Sequence, residues 1–208
     1  MIRRWPVTLT EGSVGLRPLR HSDVEVWREV RRRNEAWLRP WDATAPSTDT
    51  RPLPSFAQMV RLLRAEARAG RCLPFAMTYN GAFVGQLTVG GIQRGSAQCA
   101  TIGYWIDQRY AGRGITPLAV AMAVDHCVLT RGLHRVEIAI RPENRPSLRV
   151  VEKLGLPFEG LRRSFLHIDG DWRDHHIFVA LADEIGPRGL VARWLESQQS
   201  RESRHTHQ

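Results

Sequence analysis

The chain has 208 residues, of which 42% are hydrophobic, so it can bury one sizeable core and does not have the composition of a disordered chain. Its formal net charge is +9, and arginine supplies all but one of the 30 basic residues. The arginines are dispersed and no nucleic-acid-binding motif accompanies them, so only non-specific contact with nucleic acid is expected. No apolar run approaches the roughly 20 residues that span a bilayer, so neither a membrane segment nor a secretory leader is expected.

The cysteine and histidine positions predict neither disulfides nor a metal site. Cys72, Cys99 and Cys127 are odd in number and widely spaced, which is typical of a protein in the reducing cytoplasm. His175 and His176 are neighbours on a predicted strand and therefore point to opposite faces, where they cannot chelate one ion. We expect surface or hairpin positions for these two histidines; the alternative is that one of them lines the site for an acceptor.

The first part of the chain predicts two helical regions separated by a loop. The first helix begins at Ser22 or Asp23, and its helical character continues through 36–41. Aspartate, serine, threonine and three prolines predict a loop over 42–54. Ser55 then caps a second helix that ends at a glycine.

Alternating apolar residues and turn dipeptides predict the strands. Asn80-Gly81 and Asp169-Gly170 each predict a hairpin turn, and 90–95 predicts a loop or a bulge. Two further helices are predicted over 115–131 and 144–154, each stopped by a glycine. The predicted strands are 14–19, 73–79, 82–89, 98–106, 134–140, 160–167 and 171–180.

The resulting order is β-α-α-β-β-β-α-β-α-β-β, in which an antiparallel block precedes a β-α-β crossover. This order predicts an α+β fold, with helices flanking a mixed central sheet of about seven strands. We expect a single domain over 1–195 with its core at about 13–183, followed by a polar, disordered tail over 196–208.

The segment RYAGRG at 109–114 lies between a predicted strand and a predicted helix. A glycine-rich turn that opens a helix leaves main-chain N–H groups unpaired beside the positive end of the helix dipole, which favours a phosphate or diphosphate. Gly112 and Gly114 allow positive φ, and Arg109 and Arg113 add charge at the rim. The alternative is a glycine-rich turn that binds no ligand.

Several stretches besides this loop resemble one family. Over about 13–183 the chain resembles the GCN5-related N-acetyltransferases (GNAT), and within them the RimJ/RimL type, which acetylates the N-terminal amine of ribosomal proteins. The stretches that carry the resemblance are RYAGRG at 109–114, GLRPL at 15–19, NEAWL at 34–38, IGYWI at 102–106, NRPS at 144–147, EKLG at 152–155 and FEGLR at 158–162.

The resemblance implies the GNAT fold and acetyl-CoA as the acetyl donor. The strand before the glycine loop and the strand over 134–140 would diverge, and pantetheine would pair with the edge exposed between them. The N–H of Ile106 is a candidate for polarising the thioester carbonyl. The implied donor-site residues are Tyr104, Trp105, Ile106, Asp107, Arg109, Ala111, Gly112, Arg113, Gly114, Ile115, Asn144 and Ser147; for the side chains of Tyr104 and Trp105 we expect core packing.

The leaving sulfur needs a hydrogen-bond donor. Many GNAT enzymes use a tyrosine where this chain has Val151, which cannot donate, but Ser147 lies one helical turn earlier on the same face. The resemblance implies Ser147 as this catalytic donor. A base for the incoming amine is not determined: Glu35, Asp42 and Glu66 lie in segments that could border the acceptor, and Glu35 alone falls in a family-like stretch.

The resemblance implies a protein N-terminus, foremost that of a ribosomal protein, as the acceptor, and non-specific contact with ribosomal RNA fits the charge. Two alternatives stay open at this point: acetylation of a small amine such as an aminoglycoside or a polyamine, and a ribosome-associated module without turnover. We expect a monomer or a homodimer, without a metal and without a membrane partner.

Overall fold

One mixed sheet of eight strands runs through the part of the chain that the computed structural model describes, residues 5–46, 48–49 and 54–205. The strands are β1 (Leu9–Glu11), β2 (Val14–Pro18), β3 (Leu73–Tyr79), β4 (Ala82–Gln93), β5 (Cys99–Ile106), β6 (Arg135–Ile140), β7 (Phe158–Ile168) and β8 (Asp171–Leu181). Their order across the sheet is β1-β2-β3-β4-β5-β6-β8-β7. β5 and β6 run parallel, and the other neighbouring pairs run antiparallel.

Helices cover both faces of this sheet. They are α1 (Val24–Arg33), α2 (Glu35–Leu38), α3 (Phe56–Arg68), α4 (Ile115–Asp125), α5 (Arg145–Lys153), α6 (Ala182–Ile185) and α7 (Gly189–His205). Apolar residues of α4, α5 and α7 form the larger core with one face of the sheet. Residues of α1 and α3 form a smaller core with the other face. No helix in the described ranges is long and apolar enough to cross a membrane.

The predicted α+β fold with a mixed sheet is confirmed, and two strand predictions need correction. The sheet has eight strands rather than about seven, because β1 was missed. β1 has only three residues, too few to show a period-two pattern. β4 continues to Gln93 with a register shift between Gly90 and Gln93, so the bulge predicted for this region lies inside a longer strand.

The helix predicted over 115–131 consists of two parts. α4 ends at Asp125, and a π-helical segment follows over His126–Thr130. Every residue of α4 before Asp125 is buried, which agrees with its apolar sequence. The two predicted glycine stops, which follow the π-helical segment and α5, lie in the left-handed region, with Gly132 at φ 65° and Gly155 at φ 64°.

The tail over 196–208, for which the sequence predicts disorder, is assigned to a helix as far as His205, because α7 spans Gly189–His205. Asp125 at the end of α4 caps this helix: its carboxylate accepts the main-chain N–H of Leu190 at 2.6 Å and of Val191 at 2.9 Å. Trp194 is buried against α4. Because most of the residues that follow Trp194 are polar, the short apolar face of α7 was not recognised in the sequence. Residues 206–208 and the loop residues 47 and 50–53 lie outside the described ranges, as do 1–4.

Candidate functional site

β5 and β6 separate soon after they meet. They are paired only from Cys99↔Arg135 to Thr101↔Glu137. β6 then continues to Ile140 in contact with β8, while β5 continues to Ile106 in contact with β4. The edge of β5 that faces β6 therefore has no strand partner beyond Thr101. This is the divergence that the family resemblance predicts for these two strands.

A cavity of about 540 Å³ lies at this divergence. Residues from both faces of β5 line it, Thr101, Gly103 and Trp105 from one face and Tyr104 and Ile106 from the other. Side chains of successive strand residues point to opposite faces, so a single cavity can contact both sets only around a free strand edge. The cavity therefore reaches both faces of the sheet.

We call one half of the cavity the loop side. It is formed where β5 leads through a 3-10 turn, Gln108–Tyr110, into α4, with Gly112 at φ 81° and Gly114 at φ 79°. The main-chain N–H groups of residues 112–116 have no hydrogen-bond acceptor among the described residues. They lie at the N-terminus of α4, the positive end of its dipole. The loop thus has the geometry that the predicted phosphate site requires.

A buried carboxylate holds the start of this loop in place through a network of hydrogen bonds. Asp107 is fully buried, and Asn34 donates to it at 3.0 Å while Arg33 donates at 2.6 Å. The Asn34 side-chain oxygen accepts the N–H of Gln108 at 2.9 Å, at the start of the loop. Burial by itself would raise the pKa of the Asp107 carboxyl, but hydrogen bonds from Arg33, Asn34 and Arg109 lower it to about 2.

The N-terminus of α5 forms another wall of the loop side. Asn144 caps this helix by accepting the N–H of Ser147 at 3.2 Å. The Ser147 hydroxyl has no hydrogen-bond partner within the described part of the chain. The Tyr104 hydroxyl donates to the Ser147 carbonyl at 3.5 Å, and burial raises the pKa of the Tyr104 phenol. The Ser147 hydroxyl is therefore available as a neutral donor beside the unpaired edge of β5, whereas the neutral Tyr104 hydroxyl already donates to the Ser147 carbonyl.

The other half, which we call the tryptophan side, is lined by Trp37, Leu38, Trp41, Asp42, Ala43, Gln86, Thr88 and Gly90, together with the facing residues of β5. Its floor consists of the β4–β5 pairs Gln86↔Trp105, Thr88↔Gly103 and Gly90↔Thr101. The two pairs away from Trp105 consist of glycine and threonine residues, whose small side chains leave room above the sheet. The Arg141 guanidinium lies 5.4 Å from the centre of the Trp41 ring, and this cation–π contact stabilises the position of Trp41 in the wall.

Most of the predicted site residues come together at the cavity. Four do not line it: Glu35, Asp107, Arg109 and Arg113. Glu35 is exposed at the start of α2. The Arg109 side chain is bound to Asp107 at 3.2 Å, and the Arg113 guanidinium lies over the Tyr110 ring at 5.3 Å. The predicted residues that do line the cavity are Tyr104, Trp105, Ile106, Ala111, Gly112, Gly114, Ile115, Asn144 and Ser147.

Sequence reasoning missed most of the tryptophan side. Trp37 and Leu38 lie in a family-like stretch, but no pattern in the sequence shows that they face the same space as Gln86 and Thr88. Trp105 was expected to pack in the core; it contacts the Trp27 ring at a centroid distance of 6.3 Å and also lines the cavity. The tryptophan side can be recognised only from the tertiary arrangement of α1, α2 and the sheet.

The histidine prediction needs correction as well. His175 is 3% exposed rather than on the surface, and burial lowers its pKa. His176 is half-buried on the next position of β8. Among the residues that the structure describes, no group of three or more histidine, cysteine, aspartate or glutamate side chains could hold a metal ion. Cys72, Cys99 and Cys127 are free thiols.

Comparison with known proteins settles which family has this architecture. Residues 13–157 match the acetyltransferase (GNAT) domain family. The chain belongs to the GNAT acetyltransferase family. The RimJ/RimL resemblance is confirmed as well, because solved structures of that type are among the structural neighbours of this acetyltransferase.

Three relatives indicate where it lies within the family. Mycobacterium smegmatis RimJ, solved in complex with CoA-disulfide, is 38% identical with a TM-score of 0.86, over 93% of this chain and 96% of that chain. The Escherichia coli [ribosomal protein uS5]-alanine N-acetyltransferase is 26% identical over 157 residues, 74% of this chain and 80% of that protein. The Bacillus subtilis protein YjcK, named as an N-acetyltransferase, is 39% identical over 98 residues, a match that spans about half of it (54%) and 47% of this chain.

The depressed pKa of Asp107 predicts a pH-dependent contribution to the stability of this acetyltransferase. Its folded-state pKa of about 2 lies below the ordinary value of 3.8, so the ionised carboxylate stabilises the fold above about pH 4, and that contribution is lost as the pH falls towards 2. We expect the difference in unfolding free energy between wild type and Asp107→Asn to shrink by about 1 kcal/mol between about pH 5 and pH 3. Urea denaturation at several pH values measures it.

A matched control for this measurement is Glu25→Gln, because the Glu25 side chain is 84% exposed. Its difference from wild type should not change over the same pH range. A difference between wild type and Asp107→Asn that is constant with pH would contradict the assignment of this stabilisation to the ionised carboxylate.

Proposed function

We propose that this acetyltransferase transfers the acetyl group of acetyl-CoA to the N-terminal α-amine of a protein, foremost a ribosomal protein, by direct attack in a ternary complex. The observation that carries the proposal is the cavity at the divergence of β5 and β6, which joins a loop side fitted for a diphosphate to a tryptophan side fitted for an acceptor. The bound CoA-disulfide of the similar RimJ and the name of the similar uS5-alanine enzyme support it.

On the loop side, the unpaired N–H groups of residues 112–116 bind the diphosphate, and the free edge of β5 binds pantetheine. The N–H of Asp107 donates to Val84 of β4 at 2.8 Å. Since N–H directions alternate along a strand, the N–H of Ile106 points away from β4 and towards the free edge. In this position it can donate to the thioester carbonyl and stabilise the oxyanion that forms on attack.

The thiolate that leaves needs a donor, and we assign this role to Ser147. Its side chain lines the cavity and its hydroxyl has no partner in the described part of the chain, so it is free to donate to sulfur. Val151, at the position where many family members have a tyrosine, is fully buried. Asn144 holds the first turn of α5 and so fixes where Ser147 lies.

The tryptophan side favours a protein N-terminus over a polycation. Asp42 is the carboxylate that the described lining offers there, and Arg31 already neutralises it. A polyamine or an aminoglycoside carries several positive charges and needs several carboxylates. A peptide α-amine, with a pKa of about 7.7–8.0, is already partly neutral at pH 7, whereas a lysine amine with a pKa near 10.4 is not. Three free thiols fit a cytoplasmic location, and ribosomal RNA contact stays a prediction from charge alone.

Thiol release from acetyl-CoA tests the proposed function directly. The purified chain is incubated with acetyl-CoA and with peptides that have free or blocked N-termini, or with spermidine or kanamycin, and products are identified by mass spectrometry. We expect acetylation of the α-amine of free-N-terminus peptides. Transfer to spermidine or kanamycin alone, or tight RNA binding without any transfer, would reject the proposal in favour of one of the two other functions.

Gly112 and Gly132 offer a matched pair for the diphosphate site. Both have positive φ, 81° and 65°, and neither has an atom within 4 Å of an added Cβ. Alanine at either position strains the main chain by about 1 kcal/mol, but only Gly112 lines the cavity. We expect Gly112→Ala to weaken CoA binding about fivefold in calorimetry and Gly132→Ala to leave it unchanged. Equal affinities for the two variants would remove the loop from the binding site.

Ser147→Ala tests the assignment of the donor to sulfur. We expect kcat to fall about 10-fold to 100-fold, because the thiolate leaves without a hydrogen bond, while the dissociation constant for acetyl-CoA changes little. Steady-state kinetics with an accepted peptide and calorimetry with CoA measure the two quantities. Unchanged turnover would exclude Ser147 from the mechanism and direct attention to the neighbouring Tyr104 hydroxyl.

A further inference from the structure

Three carboxylates were candidates for the acceptor side, and the structure separates them. Glu35 is exposed and does not line the cavity. Glu66 is half-buried and does not line the cavity either, and its carboxylate is bound by Arg71 at 2.6 and 2.7 Å. Asp42 lines the cavity on the tryptophan side, and no other aspartate or glutamate among the described residues does.

Asp42 is held in one orientation by a layered arrangement. Arg31 donates to its two carboxylate oxygens at 3.0 and 2.5 Å. The guanidinium carbon of Arg31 in turn lies 5.7 Å from the centre of the Trp27 ring and 5.4 Å from that of Trp105. Trp27 is fixed by its own hydrogen bond to Gln86 at 3.1 Å. The Arg31–Asp42 ion pair is therefore supported by two rings, that of Trp27 on α1 and that of Trp105 on β5.

The main chain around Asp42 is fixed as well. Its N–H donates to the Arg39 carbonyl at 3.2 Å, and its carbonyl accepts the N–H of Asp169 at 3.1 Å, at the tip of the β7–β8 hairpin. The next residue, Ala43, forms a β-bridge with Ile168 of the same hairpin. Two separate parts of the chain thus hold this carboxylate at the cavity wall.

The carboxylate keeps accepting capacity towards the cavity. An ionised carboxylate has about four lone-pair sites, and the two-pronged contact with Arg31 uses one on each oxygen. The Asp42 side chain is 35% exposed, so the remaining sites are not enclosed by protein. Because Arg31 balances its charge, the pair attracts one N–H group without forming a site for a polycation.

We propose that Asp42 accepts a hydrogen bond from the acceptor amine and takes its proton as the C–N bond forms. This inference rests on the proposed acetyl transfer to an amine. The amine lone pair forms the C–N bond to the thioester carbon, and the C–S bond breaks with its electron pair on sulfur. One proton leaves nitrogen for Asp42 and passes to solvent, and the thiolate gains a proton to give CoA thiol, so the products are the acetamide and CoA.

The test compares acid-to-amide variants at matched positions. Asp42→Asn keeps the shape and one accepting oxygen but cannot take a proton. With acetyl-CoA and a peptide that begins with alanine, we expect its kcat to fall about 100-fold, as for loss of a general base. Its dissociation constant for CoA, measured by calorimetry, should stay within about twofold of wild type, which shows that the variant is folded. Glu25→Gln, at a side chain that is 84% exposed and does not line the cavity, should match wild type in both measurements.

The outcomes separate this inference from the proposed function. Wild type that binds CoA but acetylates no amine overturns both. Wild type that acetylates the peptide while Asp42→Asn retains kcat within about threefold overturns the role of Asp42 alone. Loss of turnover in Glu35→Gln but not in Asp42→Asn gives the role to Glu35 and overturns it equally. A large fall of kcat in Asp42→Asn with CoA affinity retained supports it.

Discussion

The divergence of two parallel strands is the constraint on which the site depends. Main-chain groups at a strand edge need partners when they are buried, and β5 loses its partner after three residue pairs with β6. The groups left unpaired face a cavity rather than protein, so a ligand or water must satisfy them. The same divergence opens the sheet, which lets residues from both faces of β5 contact one cavity.

Two charged side chains, one of them buried, fix the walls of this opening. The buried Asp107 accepts a hydrogen bond from Asn34, the residue between α1 and α2, and Asn34 in turn binds the start of the glycine loop, so the loop side is joined to the helix that carries Trp37. Arg31, in the last turn of α1, holds Asp42 on the opposite wall. α1 therefore contributes little lining of its own and instead fixes the geometry of both halves of the cavity.

Much of the fold could be predicted from local sequence. The helix cap at Ser55 and the turn at Asn80-Gly81 depend on short-range interactions, and the structure has them where they were expected. What local sequence did not show is the tertiary environment: α7 is capped by Asp125, 65 residues away from Leu190. The carboxylate that binds Arg109 is only two residues away, but that Asp107 is fully buried is decided by the packing around it. Likewise, no local pattern distinguishes Glu35 from Asp42, because only the assembled helices show which carboxylate faces the cavity.

A cavity that reaches both faces of a sheet has a consequence for substrate traffic. Under the proposed function, an acceptor bound on the tryptophan side would lie over one face of the sheet, while a coenzyme on the loop side would lie over the opposite face. CoA would then be exchanged without release of the acceptor, and neither substrate would block the entry of the other.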